Sequence, residues 1–137
     1  MDILVTDWQQ QQQALSQVRT KVFIEEQQVP EELEWDEYDQ QAMHVLVMDE
    51  GNPIACGRIK ADGHIGRMAV LPLYRHQGIG TRVLNELLEI ARQQNLEEVY
   101  LHAQVSAIPF YERLGFHCCS DIFMDAGIPH RSMKRGL

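Results

Sequence analysis

The chain has 137 residues, 45% of them hydrophobic, and carries 12 Lys and Arg against 20 Asp and Glu, a formal charge of −8 with its six histidines neutral. That length predicts one domain, residues 1–137, with a core large enough to need no disulfide or structural metal. The acidic balance opposes binding to phosphate backbones or anionic lipid, which depends on Lys and Arg releasing counterions, and so argues against nucleic acid and membrane partners.

Cys56, Cys118 and Cys119 cannot all pair, and no CxxC spacing suggests zinc or a redox couple. The N-terminal Met1-Asp2-Ile3-Leu4 is not a basic segment followed by an apolar run, and no stretch approaches a membrane span. The expectation is a cytoplasmic protein.

In chain order, Met1 to Thr6 reads as a strand. Asp7 then caps a helix, with Gln10 at the third helical position completing a capping-box-like pair. Leu15, Val18 and Val22 give that helix an apolar stripe, and it fades near Val29-Pro30, because the residue before proline disfavours the α conformation. Glu31 to Gln41 is acidic, interrupted by Leu33, Trp35 and Tyr38, and is read as a loop or short helix. Val45 to Met48, Ile54 to Lys60 and Ile65 to Val70 follow as an antiparallel meander, with Asp62-Gly63 as a hairpin turn. Ile79, Val83, Leu87, Ile90 and Ala91 mark the longest amphipathic helix. Glu98 to Ala103 is a fifth strand, and Ala107 to Leu114 a short helix stopped by Gly115. Phe116 to Cys119 and Ile122 to Met124 are late strands, with a turn at Gly127-Ile128-Pro129. This order predicts a single-domain α/β (α+β) fold with a central mixed, mostly antiparallel sheet and helices on both faces.

Arg75-His76-Gln77-Gly78-Ile79-Gly80-Thr81 joins a strand to the longest helix. A glycine-bearing turn of this kind suits an anion, because the first helical N–H groups are unpaired and carry the positive end of the helix dipole. The spacing fits neither a P-loop nor a dinucleotide fingerprint. Arg75-x-x-Gly78-x-Gly80 resembles the [QR]-x-x-G-x-[GA] signature of the GNAT superfamily of acyl-CoA N-acyltransferases. Ile65 to Val70 resembles that family's fourth strand, and Ala107-Ile108-Pro109-Phe110-Tyr111-Glu112-Arg113-Leu114-Gly115-Phe116 its downstream "A..FYe.lGF" element.

The resemblance implies that the fourth and fifth strands splay apart and hold the pantetheine arm of acetyl-CoA, against Met68, Ala69 and Val70. It also implies a pyrophosphate on the amides of Gln77, Gly78, Ile79, Gly80 and Thr81, with Arg75 and His76 as side-chain donors. Gln104 stands where the family often has Asn, one methylene longer. Tyr111 takes the part of general acid toward the departing thiolate, with the backbone amide near Val70 as oxyanion donor.

Glu34 and Asp36 are the candidate general bases, since the loop after the first helix borders the acceptor site in such folds; a solvated acidic face is the competing reading. Trp35 and Tyr38 could line an acceptor pocket, and Trp35 could equally pack in the core. His102 and His130 could face the acceptor. Arg58 and Arg67 are open to pairing with the acidic loop or to touching a substrate carboxylate. No metal-ligand spacing stands out among the histidines.

The expected activity is transfer of an acetyl group from acetyl-CoA to a primary amine of a small molecule, in a chain for which a homodimer is open. A protein N-acetyltransferase and a non-catalytic acyl-CoA sensor are the alternatives.

Overall fold

The computed structural model describes residues 1–137. Strand β1 (Asp2–Thr6) leads into helix α1 (Trp8–Arg19), which runs on as a π-helical segment, Thr20–Glu26. A short helix α2 (Glu31–Glu34) and a 3-10 turn at Glu37–Gln40 precede three strands, β2 (Met43–Asp49), β3 (Asn52–Ile59) and β4 (His64–Val70). Helix α3 (Ile79–Gln93), strand β5 (Glu98–Gln104) and helix α4 (Ile108–Arg113) follow, and strands β6 (His117–Cys118), β7 (Phe123–Asp125) and β8 (Ile128–Gly136) close the chain.

All eight strands join one sheet in the order β1-β2-β3-β4-β5-β8-β6, with β7 paired to β8. Every pairing is antiparallel except β4 with β5.

Alternation along the central strands sorts side chains onto two faces. Val45, Val47 and Ala55 point to the α3 side, where they pack with Val83, Leu84, Leu87 and Leu88. Leu46, Cys56 and Ala69 point to the α1 side and meet Trp8, Leu15, Val18 and Val22. Gly57 lets α3 lie against the sheet, since a Cβ there would stand 2.8 Å from both Leu87 Cδ1 and Val83 Cγ1. The α1 cap forms through Asp7, whose Oδ1 accepts from the Gln10 backbone N–H at 2.9 Å, while the Gln10 side chain donates back to Oδ2 at 3.2 Å.

Two elements differ from the sequence expectation. The first helix keeps its apolar stripe but widens to π geometry at Thr20, which changes the facing of Phe23 and the residues beyond it. Ile128 and Pro129 do not form a turn. They begin β8, the longest strand, and the turn lies just before it, where Ala126 and Gly127 both have positive φ.

Candidate active site

The parallel β4–β5 pair is short. Only His64 with Tyr100 and Ile65 with Leu101 are in register, and beyond them the two strands part while β4 stays paired to β3 as far as Val70. The gap widens into a cleft of about 300 Å³. Gly66, Met68, His102 and Gln104 line it from the sheet, Phe23, Gln27, Val29, Leu33 and Glu34 from the α1–α2 side, and Ile128 and His130 from the β7–β8 hairpin.

Divergence is built into β4 by a bulge. Between the Cys56–Ala69 and Arg58–Gly66 pairs, two residues of β4 oppose the single Gly57, and Arg67 takes a left-handed conformation (φ 51°). Such a conformation costs on the order of 1–3 kcal/mol outside glycine and persists only where surroundings hold it. Here they do. The Arg67 guanidinium donates to the Glu34 carbonyl (2.9 Å) and pairs with the Glu34 carboxylate (3.1 Å) and Asp36 (3.2 Å).

These contacts belong to a network that absorbs the acidic segment. Arg19, buried between the rings of Trp8 and Trp35 (5.3 and 5.0 Å), bonds Glu34 at 2.8 Å and Asp39 at 2.7 Å. Arg58 bonds Asp36 at 2.8 Å and Asp39 at 2.9 Å, and His44 Nε2 donates to the Asp39 carbonyl at 2.9 Å. Three cations thus face three carboxylates. The guanidiniums hold Asp36 and Asp39 below the ordinary carboxylate range despite burial, whereas burial pushes Glu34 up against the opposing pull of Arg67 and Arg19.

The competing reading of a solvated acidic face is therefore set aside for Glu34, Asp36 and Asp39, whose charge is neutralised internally. Trp35 packs with Trp8 at 6.3 Å. Tyr38 lies outside the cleft, exposed, with Lys60 Nζ 4.1 Å over its ring.

At the other end, the turn before α3 has the conformation the glycine spacing suggests. Gly78 is left-handed (φ 79°) and so is His76 (φ 62°). The first intrahelical bond is from the Arg82 N–H to the Gly78 carbonyl (3.1 Å), so the amides of Ile79, Gly80 and Thr81 precede it without a helical acceptor. His76, Gln77 and Gly78 are exposed, and the Gln77 side chain donates to the Leu73 carbonyl at 3.1 Å.

Gly80 joins this turn to the cleft: a Cβ there would meet Phe110 of α4 at 3.4 Å and Val70 of β4 at 3.9 Å. Arg75 braces the same corner. Its Nε donates to the Val70 carbonyl at 2.8 Å, and its two terminal nitrogens grip Glu26 at 2.8 and 2.7 Å. The side chain expected to donate to a phosphate is thus engaged within the protein.

Tyr111 lies in α4 with Pro109 in the first turn, where proline is tolerated. Its hydroxyl donates to Met68 Sδ at 3.7 Å across the gap, and burial pushes its pKa up to about 12. Gln104 Nε2 donates to Gln27 Oε1 at 2.9 Å, spanning the cleft from β5 to the end of the π-helical segment. Ala69 faces away into the α1 cluster. His102 and His130 both line the cleft, joined by His64, which stacks on Tyr100 at 4.6 Å. Burial, with His102 and Lys60 nearby, pushes His64 down to about 4, and burial also lowers His102.

Sequence reasoning missed the contributions of Gln27, Phe23, Gly66 and the β7–β8 hairpin. Only Gly66 had a local signal, as a glycine inside a strand pattern.

A mixed sheet that opens between one parallel strand pair, beside a left-handed glycine turn, defines an acyl-CoA N-acyltransferase architecture. The family model for the acetyltransferase (GNAT) domain matches residues 7–137. The chain belongs to this family and is an acyltransferase. Among its relatives, YyaT of Bacillus subtilis is 39% identical over 126 residues, covering 88% of this chain and 85% of the relative. The crystal structure of an acyl-CoA N-acyltransferase from Pseudomonas aeruginosa superposes with a TM-score of 0.89 at 28% identity, covering 99% of this chain and 100% of that one. Escherichia coli ElaA superposes with a TM-score of 0.88 at 27% identity, covering 98% and 99%.

Proposed function

We propose that the protein transfers an acetyl group from acetyl-CoA to the primary amine of a small molecule, and the observation that carries this is the gap between β4 and β5 with Tyr111 facing Met68 across it. The pyrophosphate rests on the amides from Gln77 to Thr81, with His76 and Arg75 at the same turn. The pantetheine arm enters the gap along Met68, Ala69 and Val70 and meets Gln104, once that side chain releases Gln27.

The amine nitrogen attacks the thioester carbonyl, and the oxyanion that forms takes a hydrogen bond from the backbone near Val70. Collapse of the tetrahedral species breaks the carbon–sulfur bond, the Tyr111 hydroxyl protonates the leaving thiolate, and the resulting phenolate takes the extra proton from the nitrogen as the amide forms. A buried phenol stays protonated until needed, and the same desolvation raises the proton affinity of the thiolate. Glu34 takes the proton from the incoming ammonium. Its two arginine partners both bind Oε2, and its raised pKa strengthens it as a base.

Tyr111→Phe should lower kcat about a hundredfold, in the range typical of general acid–base catalysis, with CoA affinity by calorimetry unchanged. Glu34→Gln should lower kcat and remove the acid limb of the pH–rate profile. Full turnover in either variant would remove that residue from the mechanism.

A further inference from the structure

Arg58 contributes the one buried side-chain nitrogen without a hydrogen-bond partner, Nε. Its NH1 is shared between Asp36 and Asp39, so the guanidinium is anchored from one side while the residue lines the cleft. A guanidinium held through one nitrogen keeps donors unused, and an anionic acceptor seated on its cleft side takes a charge-assisted hydrogen bond from them.

Space for such a group lies next to it. Gly66 is the cross-strand partner of Arg58, so the two positions project to the same face of the sheet. A Cβ at Gly66 would meet nothing within 4 Å, and Gly66 also lines the cleft. The neighbouring ionic network balances three arginines against three carboxylates. A lone anion would upset that balance; a zwitterion does not. Phe23, Val29 and Leu33 supply apolar wall on the same side.

Resting on the acetyltransferase reading above, we propose that the acceptor is a free amino acid with an apolar side chain, whose carboxylate sits over Gly66 on the Arg58 guanidinium while its amine lies toward Glu34. Arg58 is then a specificity residue that selects amines bearing a carboxylate. A site built to pair with a polar group discriminates strongly against analogues lacking it.

The test is CoA-thiol release from acetyl-CoA with leucine, methionine and phenylalanine, each compared with its carboxamide and its decarboxylated amine. The free amino acid of at least one trio should show a kcat/KM about tenfold or more above both analogues, the scale of one hydrogen bond to a charged group. Because Arg58 also holds Asp36 and Asp39, its replacement would confound recognition with folding, and Gly66→Val probes the same space without touching the network. This variant should raise the amino-acid KM at least about tenfold and leave CoA affinity by calorimetry within about twofold.

Equal or better turnover of the carboxamide or the decarboxylated amine overturns the proposal. So does an unchanged KM in Gly66→Val, or no thiol release from any of the nine compounds by a protein that binds CoA. A protein that binds no CoA would remove the acetyltransferase reading and the acceptor class with it.

Discussion

Arg67 and Glu34 show how single residues shape this cleft. A non-glycine residue in a left-handed β-bulge is unfavourable alone, and here the bulge survives because the Arg67 guanidinium reaches α2 and binds both the carbonyl and the carboxylate of Glu34. Removing one partner from such a buried cluster leaves a charge uncompensated, which is costlier than the whole cluster was worth.

His64 carries a separate residue-scale prediction. Its folded pKa of about 4 lies below the ordinary 6.5 because burial disfavours the imidazolium. The unfolded chain therefore binds the proton first as pH falls, so stability should decline from pH 6.5 to about 4 and the His64 contribution should level off below that. His64→Gln should flatten this part of the curve in thermal melts taken between pH 7 and 4, and an undiminished slope would assign the effect to other groups. His44 and His102, also lowered by burial, act in the same direction.

At the scale of elements, the turn into α3 and the end of β4 form one corner. Arg75 binds the Val70 carbonyl and Glu26 together, so the glycine turn, the cleft strand and the π-helical segment share a single brace. Gly78 is where this corner demands glycine. Its φ of 79° is open to few side chains, although a Cβ would strike nothing. Gly78→Val should thus cost about 1–2 kcal/mol of stability, the usual penalty of the left-handed region, and leave a folded protein. CoA binding should fall at least tenfold, because relaxing that φ turns the first amides of α3 away from the pyrophosphate. Calorimetry on the folded variant checks this, and normal affinity would remove the turn from the binding site.

The elements were unevenly legible. The α3 helix was visible because Ile79, Val83, Leu87, Ile90 and Ala91 face one core, and all are buried. The meander was visible because β2 and β3 lie between two helices and are apolar along their length. β8 was hidden. His130 lines the cleft and Ser132 bonds His102 in place of packing in a core, Met133 alone is a deeply buried apolar residue, and no alternation of hydrophobicity survives. The π-helical widening of α1 had no signature either.

For the whole molecule, the sheet is continuous from β1 to β6 except at the β4–β5 divergence, and α1 and α3 clamp opposite faces of its centre. A ligand held in that divergence contacts both halves and binds only the native state. Adding CoA at about a hundred times its Kd should therefore stabilise the fold by about 2.7 kcal/mol, a rise in Tm on the order of 10 °C for a chain of this size. A melting temperature indifferent to CoA would count against the cleft as its site.

The amino-acid string alone determined the turn. Gly78 and Gly80 at the head of a long amphipathic helix carry their chemistry locally, through backbone freedom and unpaired amides, and Tyr111 is placed by a short helix whose start and stop are written in Pro109 and Gly115. What the acidic segment does was decided only by the tertiary structure. Glu34, Asp36 and Asp39 lie within a few residues of one another, but their arginine partners come from α1, β3 and β4, and Coulomb pairing over such sequence distances has no local trace. The open floor at Gly66 beside the half-paired Arg58 is likewise a property of register between two strands, set by the hairpin and the bulge acting together.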